Sequence, residues 1–182
     1  MQLLHRVLAD VQLMLRRPPR LQYAALCYRV RTGHPLEILL ITSRDTGRWV
    51  IPKGWPMKGK RAHEVAAREA FEEAGVKGSC ERAPIGHYVY RKKLDSGLKV
   101  SCKVHVFAMK VAGLRGNFPE KGERKLVWFE YRQAARRVAE RSRGLTRPAT
   151  AYRLGPQVDA RGRAMALDLP LRQTARLVFP TP

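Results

Sequence analysis

The alternation of apolar and polar positions predicts a series of short strands interrupted by one strong helix. Three apolar-rich runs, each bounded by Gly or Pro, predict strands, and they are LQYAALCYRV, LEILLITS and RWVIP. Two longer runs flank the turn signal Asp95-Ser96-Gly97 and predict a β-hairpin, with strands IGHYVYRKKL and LKVSCKVHVFAMKV. A last strand is predicted at KLVWFE.

Two segments carry helical signals. The chain from Ala62 to Ala74 is rich in Ala and Glu and has no Gly or Pro, which predicts a helix that Gly75 is placed to end. A second helix is predicted at YRQAARRVAERS, after the last strand. The order strands, helix, hairpin, strand, helix favours a mixed α/β fold over a regular βαβ repeat.

The two ends of the chain differ from the middle. Residues 1–20 place apolar side chains at helical spacing before Pro18-Pro19, which predicts an amphipathic helix or extension. An organelle transit peptide is the alternative, whereas the lack of a continuous apolar run and of a small-residue cleavage site disfavours a secretory signal. Residues 142–182 are rich in Arg and Pro and predict a basic tail, either flexible or docked as an arm. One domain over residues 21–141 is therefore expected.

The charge of the chain narrows the classes of partner. The sequence has 36 Lys and Arg against 15 Asp and Glu, a net charge of +21. Such a chain attracts nucleic acid, anionic membrane or a multiply phosphorylated small molecule. No apolar stretch is long enough to span a membrane. Three widely separated cysteines favour neither a zinc site nor a disulfide framework, so a reduced, cytoplasmic protein is expected.

The scarce acidic residues are concentrated in the predicted helix. Glu69, Glu72 and Glu73 have helical spacing i, i+3 and i+4, so their side chains share one face. Like charges at these spacings destabilise a helix, which suggests that a cation binds there. Carboxylates on a rigid element suit Mg²⁺ or Mn²⁺.

The segment GWPMKGKRAHEVAAREAFEEAGV resembles the Nudix box, the signature of hydrolases acting on nucleoside diphosphates linked to another moiety. The positions that match are Gly54, Arg68, Glu69, Glu72, Glu73, Gly75 and Val76. Lys60 departs from the pattern, since the family has a Glu there. The stretches RWVIPKGWP and REAFEEAGVKG are most similar to the diphosphoinositol polyphosphate phosphohydrolase type.

This resemblance implies a Nudix-type α/β/α sandwich with a mixed sheet and a pyrophosphohydrolase activity. The implied substrates are phosphate-rich, such as diphosphoinositol polyphosphates or diadenosine polyphosphates. By the same resemblance, Glu69, Glu72 and Glu73 hold Mg²⁺ or Mn²⁺ with the Gly54 carbonyl, one of these glutamates serves as the base, and Arg68 orients the carboxylates. Some family members add an acidic residue before the last strand, where the candidates are Glu123, ranked slightly ahead, and Glu120.

Basic residues near the box are expected to contact the outer phosphates of the substrate. These candidates are Lys53, Lys58, Lys60, Arg91, Lys92, Lys93 and Arg124. Two alternatives remain open at this point. One is an ADP-ribose or nucleoside-diphosphate-sugar pyrophosphatase. The other is a nucleic-acid-binding protein that keeps the fold as a scaffold, which the charge of +21 and the Lys60 departure motivate.

Overall fold

The structure is a computed structural model that describes residues 18–93, 97 and 99–139. The amphipathic helix predicted before Pro18 and the basic tail predicted over residues 142–182 lie outside the described residues. Within them, the elements in chain order are β1 (Arg20–Arg29), β2 (Glu37–Thr42), β3 (Trp49–Val50), β4 (Lys53–Gly54), α1 (Ala62–Ala74), β5 (Val76–Cys80), β6 (Gly86–Lys93), β7 (Lys99–Leu114), β8 (Leu126–Glu130) and α2 (Tyr131–Ala139).

The eight strands that the structure describes form one mixed sheet with β1 and β7 at its centre. These two strands run parallel, from the pair Arg20 and Cys102 to the pair Tyr28 and Lys110. The remaining pairings are antiparallel: β1 with β2 and β4, β2 with β3 and β8, and β7 with β5 and β6. The β6–β7 pairing confirms the predicted hairpin.

The two helices cover opposite faces of this sheet. Successive side chains of a strand point to opposite faces, and β1 shows this directly. Ala25 packs in one cluster with Ala66 and Ala70 of α1, whereas its neighbour Ala24 packs in the other cluster with Ala134 of α2. Alanines on the inner face of α1 bring the helix close to the strands. The predicted α/β/α sandwich is confirmed.

Two strands depart from the predicted pattern. β5 is an edge strand whose Lys77, Gly78 and Ser79 are exposed, so it lacks the apolar alternation that identifies a strand. The predicted strand RWVIP contributes only its middle, β3, because Pro52 offers no N–H to a ladder. The Pro52 carbonyl instead accepts the Ala25 N–H at 3.0 Å, and the chain then enters β4 beside β1.

The connection between β7 and β8 folds over the C-terminal end of α1. We call residues 115–124 the strap. Gly75 ends α1 as predicted, with a left-handed φ of 65°, and a Cβ at this position would lie 2.6 Å from the Phe118 ring. The strap is held by main-chain hydrogen bonds from Arg115 N to Gly75 O at 2.8 Å and from Glu120 N to Glu72 O at 3.0 Å. Strap residues are thereby carried to the acidic face of α1.

No helix in the part of the chain that the structure describes has the length and apolar character needed to cross a membrane.

Candidate active site

The three glutamates of α1 form an acidic ridge that the sheet partly buries. We use the term acidic ridge for Glu69, Glu72 and Glu73. Glu73 is only 6% exposed, one of two polar residues found in the described core, and Glu69 is half-buried. Burying a carboxylate is costly unless hydrogen bonds or opposite charges compensate. The hydrogen bonds and charges around each glutamate therefore indicate how its burial is compensated.

Gly54 provides the seat for the Glu69 carboxylate. β4 pairs Gly54 with Tyr23 of β1, directly beneath α1. A Cβ built on Gly54 would lie 1.9 Å from Glu69 Oε1 and 2.0 Å from Glu69 Cδ. Only glycine therefore lets the carboxylate rest against the main chain at this point. Glu69 has no hydrogen bond or ion pair with any residue that the structure describes.

Two fixed donors hold the Glu73 carboxylate. The Lys53 main-chain N–H donates to Glu73 Oε2 at 3.0 Å, and Arg124 Nη2 donates to Glu73 Oε1 at 2.5 Å. β4 supplies the first donor and the end of the strap supplies the second. Glu73 thus has one orientation imposed by two separate parts of the fold.

Arg124 does not lie where a contact to outer phosphates was expected. Its side chain is 6% exposed. Besides Glu73, the guanidinium donates from Nε to Glu120 Oε2 at 2.8 Å and from Nη1 to the Thr42 carbonyl at 3.1 Å. These acceptors use the side chain within the protein, so Arg124 supports the acidic ridge instead of facing solvent. No sequence signal pointed to this arrangement, because two of the three partners are 51 and 82 residues away in the chain.

Glu72 is partly exposed, with 25% of its side chain accessible. Arg68 Nε donates to Glu72 Oε1 at 2.6 Å, an i, i+4 pair in which Arg68 is half-exposed. Exposed pairs of this kind contribute little free energy. The Arg68 pair therefore leaves Glu72 free to change partner, and the orienting role that the resemblance implies for Arg68 stays a prediction.

Burial, and for Glu69 the neighbouring negative charges as well, raises the pKa values of Glu69 and Glu73. Burial, followed by the charges of Glu73, Glu72 and Glu120, raises the pKa of Glu69 to about 7. Burial also raises the pKa of Glu73, while the charges of Arg124 and Lys53 oppose that rise. An added cation would relieve this repulsion.

Of the two candidate acids outside the helix, the structure brings Glu120 to the ridge and leaves Glu123 outside. Glu120 is bound by Arg124, which also binds Glu73, and its charge contributes to the raised pKa of Glu69. Glu123 is 46% exposed and pairs with Arg44 at 3.1 Å. The slight preference for Glu123 is therefore replaced by Glu120, because the main-chain bond to Glu72 O turns the strap so that position 120 faces α1.

The expected phosphate-binding residues fall into two groups. Lys58, Lys60 and Arg91 are exposed. Lys53 is half-buried, and burial lowers the pKa of its amine, with Arg124 and Lys92 acting in the same direction. The Lys92 ammonium lies 5.6 Å from the centroid of the Trp55 ring. Lys93 is the last residue of β6.

A group of cations on the α2 side of the sheet was not predicted in full. Register places Arg20 of β1, Cys102 of β7 and Tyr90 of β6 in one row, and alternation puts Lys53 on the same face. Burial raises the pKa of the Cys102 thiol, while the charges of Lys92, Arg20 and Lys53 lower it. We call Arg20, Lys53 and Lys92 the cationic basin. The described chain gives none of the three an ion pair.

A hydrogen bond lies between these cations. Gln22 is 3% exposed, and the Tyr90 hydroxyl donates to its Oε1 at 2.7 Å. This bond satisfies two polar groups that would otherwise be buried alone. The cations around it have no comparable acidic partner, so the basin is suited to an anionic ligand.

The ligating atoms of the ridge fit a hard divalent cation. Among the described residues, no three His, Cys, Asp or Glu side chains already converge on one point, since Glu72 faces Arg68 and Glu73 faces Arg124. The ridge nevertheless offers carboxylate oxygens on a rigid helix, which are donors that Mg²⁺ and Mn²⁺ prefer, and the Gly54 carbonyl stays a predicted further ligand. The seat at Gly54 keeps Glu69 in place without using its lone pairs.

The fold is a mixed sheet with α1 placing Glu69 of the acidic ridge next to Gly54 of β4. The NUDIX domain family model matches residues 20–148, and the chain belongs to the Nudix family.

Curated relatives agree with this assignment. The chain is 34% identical over 102 residues to Nudix hydrolase 12, mitochondrial, of Arabidopsis thaliana, covering 54% of this chain and 50% of that protein. It is 30% identical over 120 residues to diphosphoinositol polyphosphate phosphohydrolase 3-alpha of Mus musculus, covering 64% and 69%. The chain spans about half the length of the Arabidopsis relatives reported. A solved C. elegans Ap4A hydrolase aligns with 20% identity and a TM-score of 0.48, over 70% of this chain and 92% of that one.

Proposed function

We propose that this chain is a divalent-metal-dependent Nudix pyrophosphohydrolase that cleaves a diphosphate bond in a phosphate-rich small molecule. Diphosphoinositol polyphosphates and dinucleoside polyphosphates are the substrates that fit best. The family assignment supports the reaction type, and relatives named as Nudix hydrolases and diphosphoinositol polyphosphate phosphohydrolases support the substrate class.

One observation carries the proposal. The Glu69 carboxylate rests on Gly54, and the described chain offers it no hydrogen bond, while its neighbour Glu73 is fixed by Lys53 N and Arg124. A protein gains no stability from a half-buried carboxylate that it leaves unpaired beside two more. The arrangement is accounted for if Glu69 is kept available for a metal ion or for a reacting water.

Each residue of the site has a separate proposed role. Glu69, Glu72 and Glu73 with the Gly54 carbonyl would hold Mg²⁺ or Mn²⁺. When bound, the ion supplies charge to polarise a phosphoryl oxygen and lowers the pKa of a water ligand. Glu69 is the carboxylate available to take a proton from water, since Glu72 and Glu73 have arginine partners. Arg68 orients Glu72.

The cationic basin would bind the part of the substrate that is not cleaved. Lys53 links the basin to the ridge, because its main-chain N–H donates to Glu73 Oε2 at 3.0 Å and the charges of Glu73 and Glu69 act on its amine. Phosphates beyond the scissile bond would serve as the anionic partners that Lys53, Lys92 and Arg20 lack in the described chain. Exposed Lys58 and Arg91 would add longer-range attraction.

A substrate panel tests the proposal. Diphosphoinositol pentakisphosphate, diadenosine tetraphosphate, ADP-ribose and a nucleoside-diphosphate sugar would be incubated with Mg²⁺ or Mn²⁺, and released phosphate or nucleotide measured. Turnover of one or both of the first two substrates, abolished by EDTA and restored by added metal, is the expected result. Preferred turnover of ADP-ribose or the sugar nucleotide would replace the substrate class, and no metal-dependent turnover of any substrate would reject the proposal.

The net charge of +21 supports a second candidate, a nucleic-acid-binding protein that uses the Nudix fold as a scaffold. Such a protein would bind DNA or RNA with an affinity that falls steeply with salt. Binding of this kind without turnover of any panel substrate would favour the second candidate over the first.

A further inference from the structure

We propose that Arg124 is a positioning residue that joins Glu73 of α1 and Glu120 of the strap into one carboxylate frame for the metal ion. The inference rests on the proposed function and adds to it a residue outside the Nudix box. It names a role for a buried guanidinium that the expected phosphate contact does not explain.

The burial of Arg124 is the first reason. Its side chain is 6% exposed, whereas the other arginines in described ion pairs are at least 31% exposed. Taking a guanidinium out of water has a large desolvation cost that must be met by close partners. Here the partners are two carboxylates and a main-chain carbonyl.

The second reason is that the three partners come from three separate segments. Glu73 belongs to α1, Glu120 to the strap, and the Thr42 carbonyl to the end of β2. A guanidinium has donors in a rigid planar fork, so one side chain can fix three acceptors relative to one another. Arg124 therefore determines where Glu120 stands with respect to the ridge.

The third reason is the charge balance at this point. Glu73 and Glu120 both contact the one guanidinium, at 2.5 Å and 2.8 Å, and without a cation between them the two carboxylates would repel each other. Arg124 contacts one oxygen of each carboxylate, and a carboxylate oxygen has a further lone pair for a second partner. The arginine can thus hold both groups in place while they still face the ridge.

The substitution Arg124→Lys tests whether the geometry of the guanidinium matters in addition to its positive charge. Lysine keeps the positive charge, but its single ammonium lacks the planar fork, so it cannot hold the same three acceptors. We expect Arg124→Lys to weaken Mn²⁺ binding about tenfold and to lower kcat about tenfold or more with a smaller change in KM. Mn²⁺ binding would be measured by electron paramagnetic resonance without substrate, so this result does not depend on the assigned reaction.

Arg29→Lys is the matched control. Arg29 pairs with Glu37 at 2.8 Å, in an arginine–carboxylate pair away from the ridge. This control is expected to leave Mn²⁺ affinity and kcat within about twofold of wild type. Equal losses in both variants, unchanged Mn²⁺ affinity in Arg124→Lys, or tighter Mn²⁺ binding in that variant would each overturn the inference.

A measurement on the wild-type protein covers the case in which Arg124→Lys does not fold. In ¹⁵N-arginine-labelled protein, the buried Nε–H of Arg124 should give the signal that exchanges most slowly with water among the described arginines. The inference predicts that this slow exchange persists when Mg²⁺ is added. Rapid exchange after Mg²⁺ addition would mean that the ion displaces the arginine, which would contradict the positioning role.

Discussion

Two clusters of glutamate and arginine in this protein use the same side chains with opposite charge balance. Near the start of β2, Glu37 is bound by Arg29 at 2.8 Å and by Arg31 at 3.0 Å, and hydrogen bonding to Arg29 lowers the pKa of its carboxyl group. On α1, Glu69 has acids as neighbours and no described ion pair, and its pKa rises to about 7.

The difference lies in whether the protein itself supplies the compensating positive charge. At Glu37 two arginines compensate the one carboxylate, so the carboxylate is stabilised within the protein and needs no added cation. On the acidic ridge, negative charge exceeds the local arginines, which lowers stability unless a cation arrives. Strongly perturbed carboxylates in this kind of setting are typical of functional sites.

The largest expected effect comes from Glu69→Gln, which removes the unpaired negative charge of the ridge and should abolish most of the activity. Removing the charge of Glu69 should lower kcat/KM on the order of 10³-fold, in the range found when charged or polar groups at reacting centres are removed. The free energy of unfolding should stay equal or rise, because repulsion within the ridge is relieved. Steady-state kinetics and urea unfolding of the same preparation check both halves, and a stability loss with full activity would reverse the assignment.

A second large effect is expected at Gly54, where Gly54→Ala places a methyl group on the Glu69 carboxylate. The Cβ would lie 1.9 Å from Glu69 Oε1, so the carboxylate must move by an ångström or more. A displacement of this size can lower kcat/KM about a hundredfold. Gly116→Ala is the control, since a Cβ there meets nothing within 4 Å. Similar kinetics for the two variants would show that the seat does not matter.

A moderate effect should distinguish Glu120 from Glu123. Glu120→Gln removes a carboxylate that shares Arg124 with Glu73, and kcat should fall about tenfold. Glu123→Gln removes an exposed partner of Arg44 and should leave kcat within about twofold. Metal-dependent kinetics of the two variants provide the test, and the reverse order would restore Glu123 as the extra acid.

The smallest effect concerns Glu37 and is confined to stability. Because the folded-state pKa of Glu37 is lowered, its stabilisation is present above the unfolded-state pKa and is lost as pH falls through the lowered value. Glu37→Gln should therefore reduce the free energy of unfolding by about 1 kcal/mol near neutral pH, and the deficit should disappear in acid. Urea unfolding across pH measures this, with kcat unchanged. A deficit that grows in acid would contradict the sign.

Local features of the fold were predictable from the sequence. The bounds of α1 follow from an Ala- and Glu-rich run that Gly75 ends, and the β6–β7 hairpin follows from two apolar runs around a turn. The edge strand β5 was missed because its exposed Lys77, Gly78 and Ser79 carry no apolar alternation.

The site was predictable only where its residues are close in sequence. The ridge was visible because helical spacing places Glu69, Glu72 and Glu73 together. The hold on Glu73 by Arg124 was not, since that contact joins residues 51 positions apart and depends on how the strap docks. The choice of Glu120 over Glu123 depends on the same docking, through the bond from Glu120 N to Glu72 O.

The most direct test of the acidic ridge is an anomalous-scattering map from crystals soaked in Mn²⁺. The account predicts a peak beside the Glu69 carboxylate, within coordination distance of the Gly54 carbonyl or Glu73, with Glu72 turned away from Arg68. The account would be contradicted if no peak appeared at millimolar Mn²⁺, with the Arg68–Glu72 and Arg124–Glu73 pairs intact and Glu69 unliganded.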